Sequence, residues 1–233
     1  MTKALFFDVF GTVVNWRDSI ARELRRFGAA QGLERDWFAM ADRWRALYQP
    51  SMEPVRRGER GYVKLDILHG ENLDRVLTEF ELEAVGPEDR AYLTTAWHRL
   101  VPWPDVVPGL NRMKPRFILA PVSNGNISLM VNLARFVALP WDTVLGSEVA
   151  RDYKPMPAVY LKSAEALSLP PADCMMVAAH NSDLAAARAL GLGTAFVARL
   201  EEYGPHQTQD FKAEEDWDFI AEDFVELAEK LVC

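Results

Sequence analysis

Five short apolar runs, at residues 4–7, 117–122, 143–145, 174–179 and 194–197, each stop at a polar turn. The last four are separated by segments with helical spacing of apolar residues, 127–138, 158–167 and 184–190. Runs that are apolar throughout suit strands buried on both faces, and strands alternating with helices build a parallel sheet covered by crossovers. The expected fold class is α/β, a doubly wound, Rossmann-like parallel-sheet core. From residue 16 to 97 the pattern changes: 20–27, 37–48, 63–80 and 89–97 have helical periodicity and charged faces, with no strand-like run between them. This predicts a helical cap subdomain of residues 16–97 inserted into a core of residues 1–15 and 98–233. The proline-rich stretch VPWPDVVPGL at 101–110 marks the return to the core, because proline disfavours helix in the residue before it. Repeats and low-complexity tracts are absent.

Charge and cysteine content narrow the function. With 26 basic against 34 acidic residues, a net charge of -8 and no basic block, the chain suits neither a nucleic-acid groove nor an anionic membrane surface, and a small substrate is expected. No apolar run approaches the ~20 residues that span a bilayer, and the first residues enter a strand pattern without a signal-peptide layout, so a cytoplasmic location is expected. Cys174 and Cys233 are too few for a disulfide framework or a zinc site and read as plain thiols.

Open parallel sheets bind ligands beyond the carboxyl ends of their strands. That rule selects Asp8 after the first strand, Ser123, Asn124 and Gly125 after the second, Lys154 in the loop after the third, and His180, Asn181 and Asp183 after the fourth. A positioned carboxylate balanced by a cation can act as a covalent nucleophile, which suits Asp8 with Lys154; a turn-forming Asp8 and a solvated Lys154 are the alternatives. Ser123, Asn124 and the amides beside Gly125 precede a helix, where they can cap it, cradle an anion, or both. Asp183 can likewise cap the helix that follows it.

In combination these residues resemble the haloacid dehalogenase superfamily. Its first motif is Asp-x-x-x-Thr, here DVFGT from Asp8 to Thr12; its second a strand-terminal Ser or Thr, here Ser123; its third a lysine, here Lys154 in YKP; its fourth an acidic loop, here HNSD ending at Asp183. Phosphatases of that superfamily carry a second aspartate two residues after the nucleophile, to protonate the leaving alkoxide. Phe10 stands there in this chain. A halide is a weak base that leaves without a proton, so the resemblance points to the L-2-haloacid dehalogenase branch. SNGN at 123–126 and YKPMPAVY at 153–160, with Lys154 and Tyr160, support that branch, as does the Trp44–Arg45 pair in RWRALYQ.

The resemblance implies hydrolysis of (S)-2-haloacids to 2-hydroxy acids with inversion, through an aspartyl ester on Asp8. Lys154 would steady Asp8, Arg45 with Phe10 would receive the halide, and Thr12 would donate to the oxyanion. Asp183 would activate water. Ser123, Asn124, Phe10, Tyr160, His180 and Asn181 would line the substrate. It implies no cofactor and no metal, a 2-haloacid and a halide ion as small-molecule partners, and a homodimer. Arg43, two residues from Arg45, offers the same chemistry. The branch's Ser-x-Asn before the final acid is missing: Ala178, Ala179 and His180 precede Asn181, which leaves His180 either to assist water or to serve the core. A phosphatase acting on a small phosphorylated metabolite is the competing activity, and a binding protein on a retired scaffold the non-enzymatic one.

Overall fold

The computed structural model describes residues 1–205 and 207–232. In chain order the strands are β1 (Ala4–Phe7), β2 (Val14–Asn15), β3 (Val101–Pro102), β4 (Ile118–Ser123), β5 (Leu145–Gly146), β6 (Cys174–Ala178), β7 (Gly193–Val197) and β8 (Phe219–Ala221). The α-helices are α1 (Trp16–Gln31), α2 (Trp37–Ala46), α3 (Tyr48–Arg56), α4 (Leu65–Glu79), α5 (Pro87–Thr94), α6 (Val106–Met113), α7 (Ile127–Val137), α8 (Ser147–Ala150), α9 (Pro157–Ala166), α10 (Asn181–Arg188) and α11 (Phe224–Val232).

Six strands form one parallel sheet in the order β5-β4-β1-β6-β7-β8. Side chains alternate across a strand, so Leu5 and Phe7 of β1 join one core cluster while Ala4 and Phe6 join another on the opposite face. Both layers are closed from water, which explains why β1 and β6 are apolar without interruption. The central strand β1 lies between β4 and β6, so Asp8, at its carboxyl end, emerges in the middle of the sheet.

The chain leaves the sheet through β2 and returns through β3, which pair antiparallel with Val14 opposite Pro102. Between them lie α1 to α5. Asn15 caps α1 by accepting the Asp18 N–H, and Gly32 ends it in the left-handed conformation, φ 67°. Trp44 and Trp97 are buried with their rings edge to face, and Trp97 also stacks on Trp16. Side chains of this size supply several kcal/mol of burial each, enough to order a helical layer whose helices are individually short.

Some local expectations are corrected. The proline-rich return itself carries a helix: α6 spans Val106–Met113 and tolerates Pro108 in its first turn, where the missing N–H has no intrahelical partner to lose. A further helix, α3, follows the expected 37–48 segment, with Pro50 also in the first turn. The third strand is shorter than residues 143–145 suggested and lies at Leu145–Gly146, followed by one helical turn, α8, inside the expected loop. Beyond residue 197, β8 and α11 complete the sheet edge. Cys174 is buried, which pushes its thiol up to about 11; Cys233 lies outside the described residues. Among the described residues no helix is long and apolar enough to cross a membrane.

Candidate active site

The carboxyl ends of β1, β4, β6 and β7 face α2 and α3 across a cavity of about 670 Å³, and Asp8, Phe10, Arg45, Asn124, Lys154, His180 and Asp183 are on its wall. Asp8 is anchored by its own N–H to Val177 O at 3.0 Å. Its two oxygens are in different surroundings. Oδ1 faces Lys154 Nζ at 3.3 Å, whereas Oδ2 accepts the Thr12 hydroxyl at 2.8 Å and lies 3.1 Å from His180 Nδ1. Burial alone would raise the Asp8 pKa, but Lys154 and His180 hold it well below the usual carboxylate range. Asp8 is therefore a carboxylate, with Oδ1 the less encumbered oxygen.

The loop after Asp8 is fixed from several sides. Thr12 Oγ1 accepts the Ala179 N–H at 2.9 Å, Arg199 Nε donates to Thr12 O at 2.8 Å, and Trp103 Nε1 donates to Gly11 O at 2.7 Å. Gly11 has φ 94°, and a Cβ there would collide with the Glu202 carboxylate, so the residue between Phe10 and Thr12 is held to glycine twice over.

Lys154 bridges Asp8 and Asp183, its Nζ 2.6 Å from Asp183 Oδ2. Burial would strip its proton, but the two carboxylates raise its pKa instead. The other oxygen of Asp183 accepts the Tyr160 hydroxyl at 2.5 Å. Both oxygens are thus engaged, and burial raises the Asp183 pKa. Asn124 Oδ1 accepts from Lys154 N at 2.8 Å and from the Ser147 hydroxyl at 3.0 Å, which sets the register of the lysine loop and leaves the Asn124 amide nitrogen for other partners.

Arg45 extends from α2 over the cavity with its guanidinium 4.2 Å from the Tyr48 ring centre; its Nη1 is buried and has no hydrogen-bond partner among the described residues. Arg43 points outward, paired with Glu79 and 42% exposed. The arginine beside Trp44 that reaches the site is Arg45. Phe10 is 2% exposed and packs edge-on against Trp97 at 5.7 Å and Tyr48 at 6.1 Å.

Of three expected substrate contacts, two lie off the cavity wall and the third has its hydroxyl committed to another partner. Asn181 turns away from the cavity: its amide nitrogen donates to Asp210 Oδ1 and Lys212 O, and its oxygen accepts from Glu214 N and Trp217 Nε1, so it clamps the segment 210–217. The amide is more useful there because the buried Trp217 indole has to be paired. Ser123 is fully buried behind the wall, its hydroxyl accepting the Gly125 N–H at 3.1 Å; it shapes the turn that carries Asn124. Tyr160 lines the cavity, but its hydroxyl is committed to Asp183.

One group escaped the sequence reading. Glu202, on the loop after β7, is 0% exposed in its side chain; Oε2 lies 2.9 Å from His180 Nε2 and Oε1 accepts the Trp16 indole N–H at 3.0 Å. Extending the strand-end rule to the fifth strand would have reached it, but in VARLEEYG a pair of adjacent glutamates reads as a solvated loop.

Phosphoryl transfer from a dianionic phosphate calls for a magnesium ion to neutralise its charge. These residues do not fit it: Lys154 occupies the space between Asp8 and Asp183, Phe10 supplies no oxygen, and among the described residues no three His, Cys, Asp or Glu are placed to hold a metal.

Residues 2–191 match the haloacid dehalogenase-like hydrolase family. A crystal structure of a defluorinating L-2-haloacid dehalogenase superposes with a TM-score of 0.98 at 48% identity, covering 100% of this chain and 96% of that one. A second, of an L-2-haloacid dehalogenase, gives 0.94 at 45% identity over 99% and 100% of the two chains. The (S)-2-haloacid dehalogenase of Xanthobacter autotrophicus is 29% identical over 215 residues, 87% of this chain and 77% of that protein. The chain belongs to the haloacid dehalogenase-like hydrolases, in their L-2-haloacid dehalogenase branch.

Proposed function

We propose that the protein hydrolyses the carbon–halogen bond of short (S)-2-haloacids, such as haloacetates and 2-halopropionates, to 2-hydroxy acids with inversion. The observation that carries this reading is a buried, ionised Asp8 beside Lys154, with the apolar ring of Phe10 where phosphatase chemistry needs an acid. The similarity to two L-2-haloacid dehalogenases over nearly the whole chain supports it, and one of them being defluorinating puts fluoroacetate among the substrates to test.

In this reading the substrate carboxylate docks on the Asn124 amide and the backbone N–H groups of the turn that Ser123 shapes. Docking presents the α-carbon to Asp8 Oδ1. Attack forms the Asp8–carbon bond as the halide leaves with its electron pair toward Arg45, whose unpartnered N–H is free to receive it, with Phe10 as the apolar wall. Oδ2 then becomes the ester carbonyl oxygen, and the Thr12 hydroxyl already aimed at it stabilises the oxyanion when water attacks. Asp183 with Tyr160 keeps Lys154 charged and in place. The reading divides the chain into a cap, 16–97, that supplies Arg45, and a core, 1–15 with 98–233, that supplies the other groups. We propose a homodimer, which the family resemblance implies and light scattering tests, and a cytoplasmic location.

The deciding experiment measures halide release from chloroacetate, 2-chloropropionate and fluoroacetate in excess EDTA, beside turnover of an aryl phosphate with magnesium. Halide release that survives the chelator is expected. Phosphate release dependent on magnesium, without halide release, would replace the dehalogenase with a phosphatase.

A further inference from the structure

Every carboxylate on the cavity wall has fixed partners. Asp183 is held by Lys154 and Tyr160, Asp42 is bound through both oxygens by Arg17, and Asp210 accepts from Asn181; Asp8 is the nucleophile of the proposed reaction. Among the described side chains bonded to the Asp8 carboxylate, namely Thr12, Lys154 and His180, the imidazole is the group suited to take a proton from water. The imidazole of His180 is on the same wall, 15% exposed, suspended between two carboxylates: Asp8 at Nδ1 and Glu202 at Nε2. Glu202 is fixed in turn by Trp16 and by its close approach to Gly11.

Resting on the dehalogenase reading above, we propose that His180, oriented by Glu202, is the base that activates water for hydrolysis of the Asp8 ester, and that the charge on Asp8 switches it on. While Asp8 is a carboxylate the imidazole bridges two anions and keeps both protons; burial opposes this, but Glu202 and Asp8 outweigh it and raise its pKa well above the ordinary value. The other titratable or charged groups around it are Tyr203, which feels its charge, and Lys154 and Arg45 across Asp8, both cations. Esterification removes one of the two anions and leaves both cations. His180 then holds its proton only through Glu202, in surroundings that disfavour a third positive charge, and releases it to the cavity water.

The proton count closes. In the first step the Asp8 Oδ1–carbon bond forms, the carbon–halogen bond breaks, the halide takes the electron pair, and His180 gives one proton to solvent. In the second, water adds to the ester carbonyl and passes one proton to His180. The tetrahedral intermediate expels the alkoxide, which takes the remaining proton of that water. Asp8 returns as a carboxylate and His180 as an imidazolium, and the net products are hydroxy acid, halide and the proton already released. Glu202 is a positioning residue: it holds the ring so that Nδ1 faces the Asp8 carboxyl.

The arrangement is tested by a single turnover with enzyme in excess over 2-chloropropionate, in weak buffer with a pH indicator, following halide, protons and the ester mass on the Asp8 peptide together. The expected result is close to one proton per halide in the ester-forming phase, and ester hydrolysis that speeds up as pH rises. In His180→Asn, and in Glu202→Gln as the less intrusive variant, the ester should accumulate, with hydrolysis slowed ~100-fold or more and no longer rising with pH. Protons that appear only as the ester decays, or ester hydrolysis that slows as pH rises, would make His180 a charged oxyanion donor and overturn the switch. Wild-type protein that forms no ester and releases no halide would instead remove the dehalogenase reading on which the switch depends.

Discussion

Lys154 Nζ stands 3.3 Å from Asp8 Oδ1, and both groups are nearly removed from solvent. At that separation the attraction is worth several kcal/mol even at an effective dielectric of ~20, and the Lys154 contact with Asp183 adds to it. Lys154→Met leaves the buried Asp183 without a counterion and Asp8 with His180 alone. It should cost about 3–5 kcal/mol of stability in urea denaturation and lower halide release by ~1000-fold or more. The double variant Asp8→Asn with Lys154→Met should regain part of that stability; strictly additive losses would show that the two groups are not coupled.

The raised pKa of His180 makes stability depend on pH. A group that holds its proton more tightly when folded contributes fully below its unfolded pKa of ~6.5 and loses that contribution as pH rises through the folded value. Wild type should therefore exceed His180→Gln in stability most at pH ~6 and by a shrinking margin above it. The depressed pKa of Asp8 acts at the other end, its contribution being lost as pH falls below ~4. Denaturation midpoints for both proteins at several pH values check this, and a gap that widens toward alkaline pH would contradict it.

Arg45 and Arg43 separate cleanly. Arg45→Ala should lower turnover on chloroacetate ~100-fold or more, through loss of the group that receives the leaving ion. Arg43→Ala removes an exposed ion pair with Glu79, worth ~1 kcal/mol at most, and should leave turnover unchanged. Steady-state halide release decides, and equal losses in both variants would count against the role given to Arg45.

Asn181→Ala should act on stability instead of chemistry. It strands the buried Trp217 indole, at about 1–3 kcal/mol, and releases its hold on the segment 210–217. A lower thermal midpoint with little change in the KM for 2-chloropropionate is expected; a large rise in KM with an unchanged midpoint would return Asn181 to the substrate.

Cutting back Phe10 tests the apolar wall. With its ring against Trp97 and Tyr48, Phe10→Ala should cost about 3–5 kcal/mol, and Phe10→Leu clearly less. A destabilisation below ~1 kcal/mol in the alanine variant would mean that the site refills the space.

The periodicity of apolar residues determined the sheet, the helical insertion and the strand ends, because a strand buried on both faces and a helix buried on one each leave a local signature. The order of Asp8, Ser123, Lys154 and Asp183 along the chain was equally legible. Tertiary structure decided what those side chains do. Lys154 could have been solvated, and only the meeting of β1 and β6 with the lysine loop sets it between two carboxylates. Asn181, one residue from His180, faces the opposite way because the first turn of α10 rotates it toward the segment 210–217. The proline cluster at 101–110 argues against helix, but Pro108 falls in the first turn of α6, a position that packing fixes, and is harmless there. Glu202 is 186 residues from Trp16 in sequence, and no local pattern records that a glutamate in a charged loop is folded into the protein to hold a histidine against Asp8.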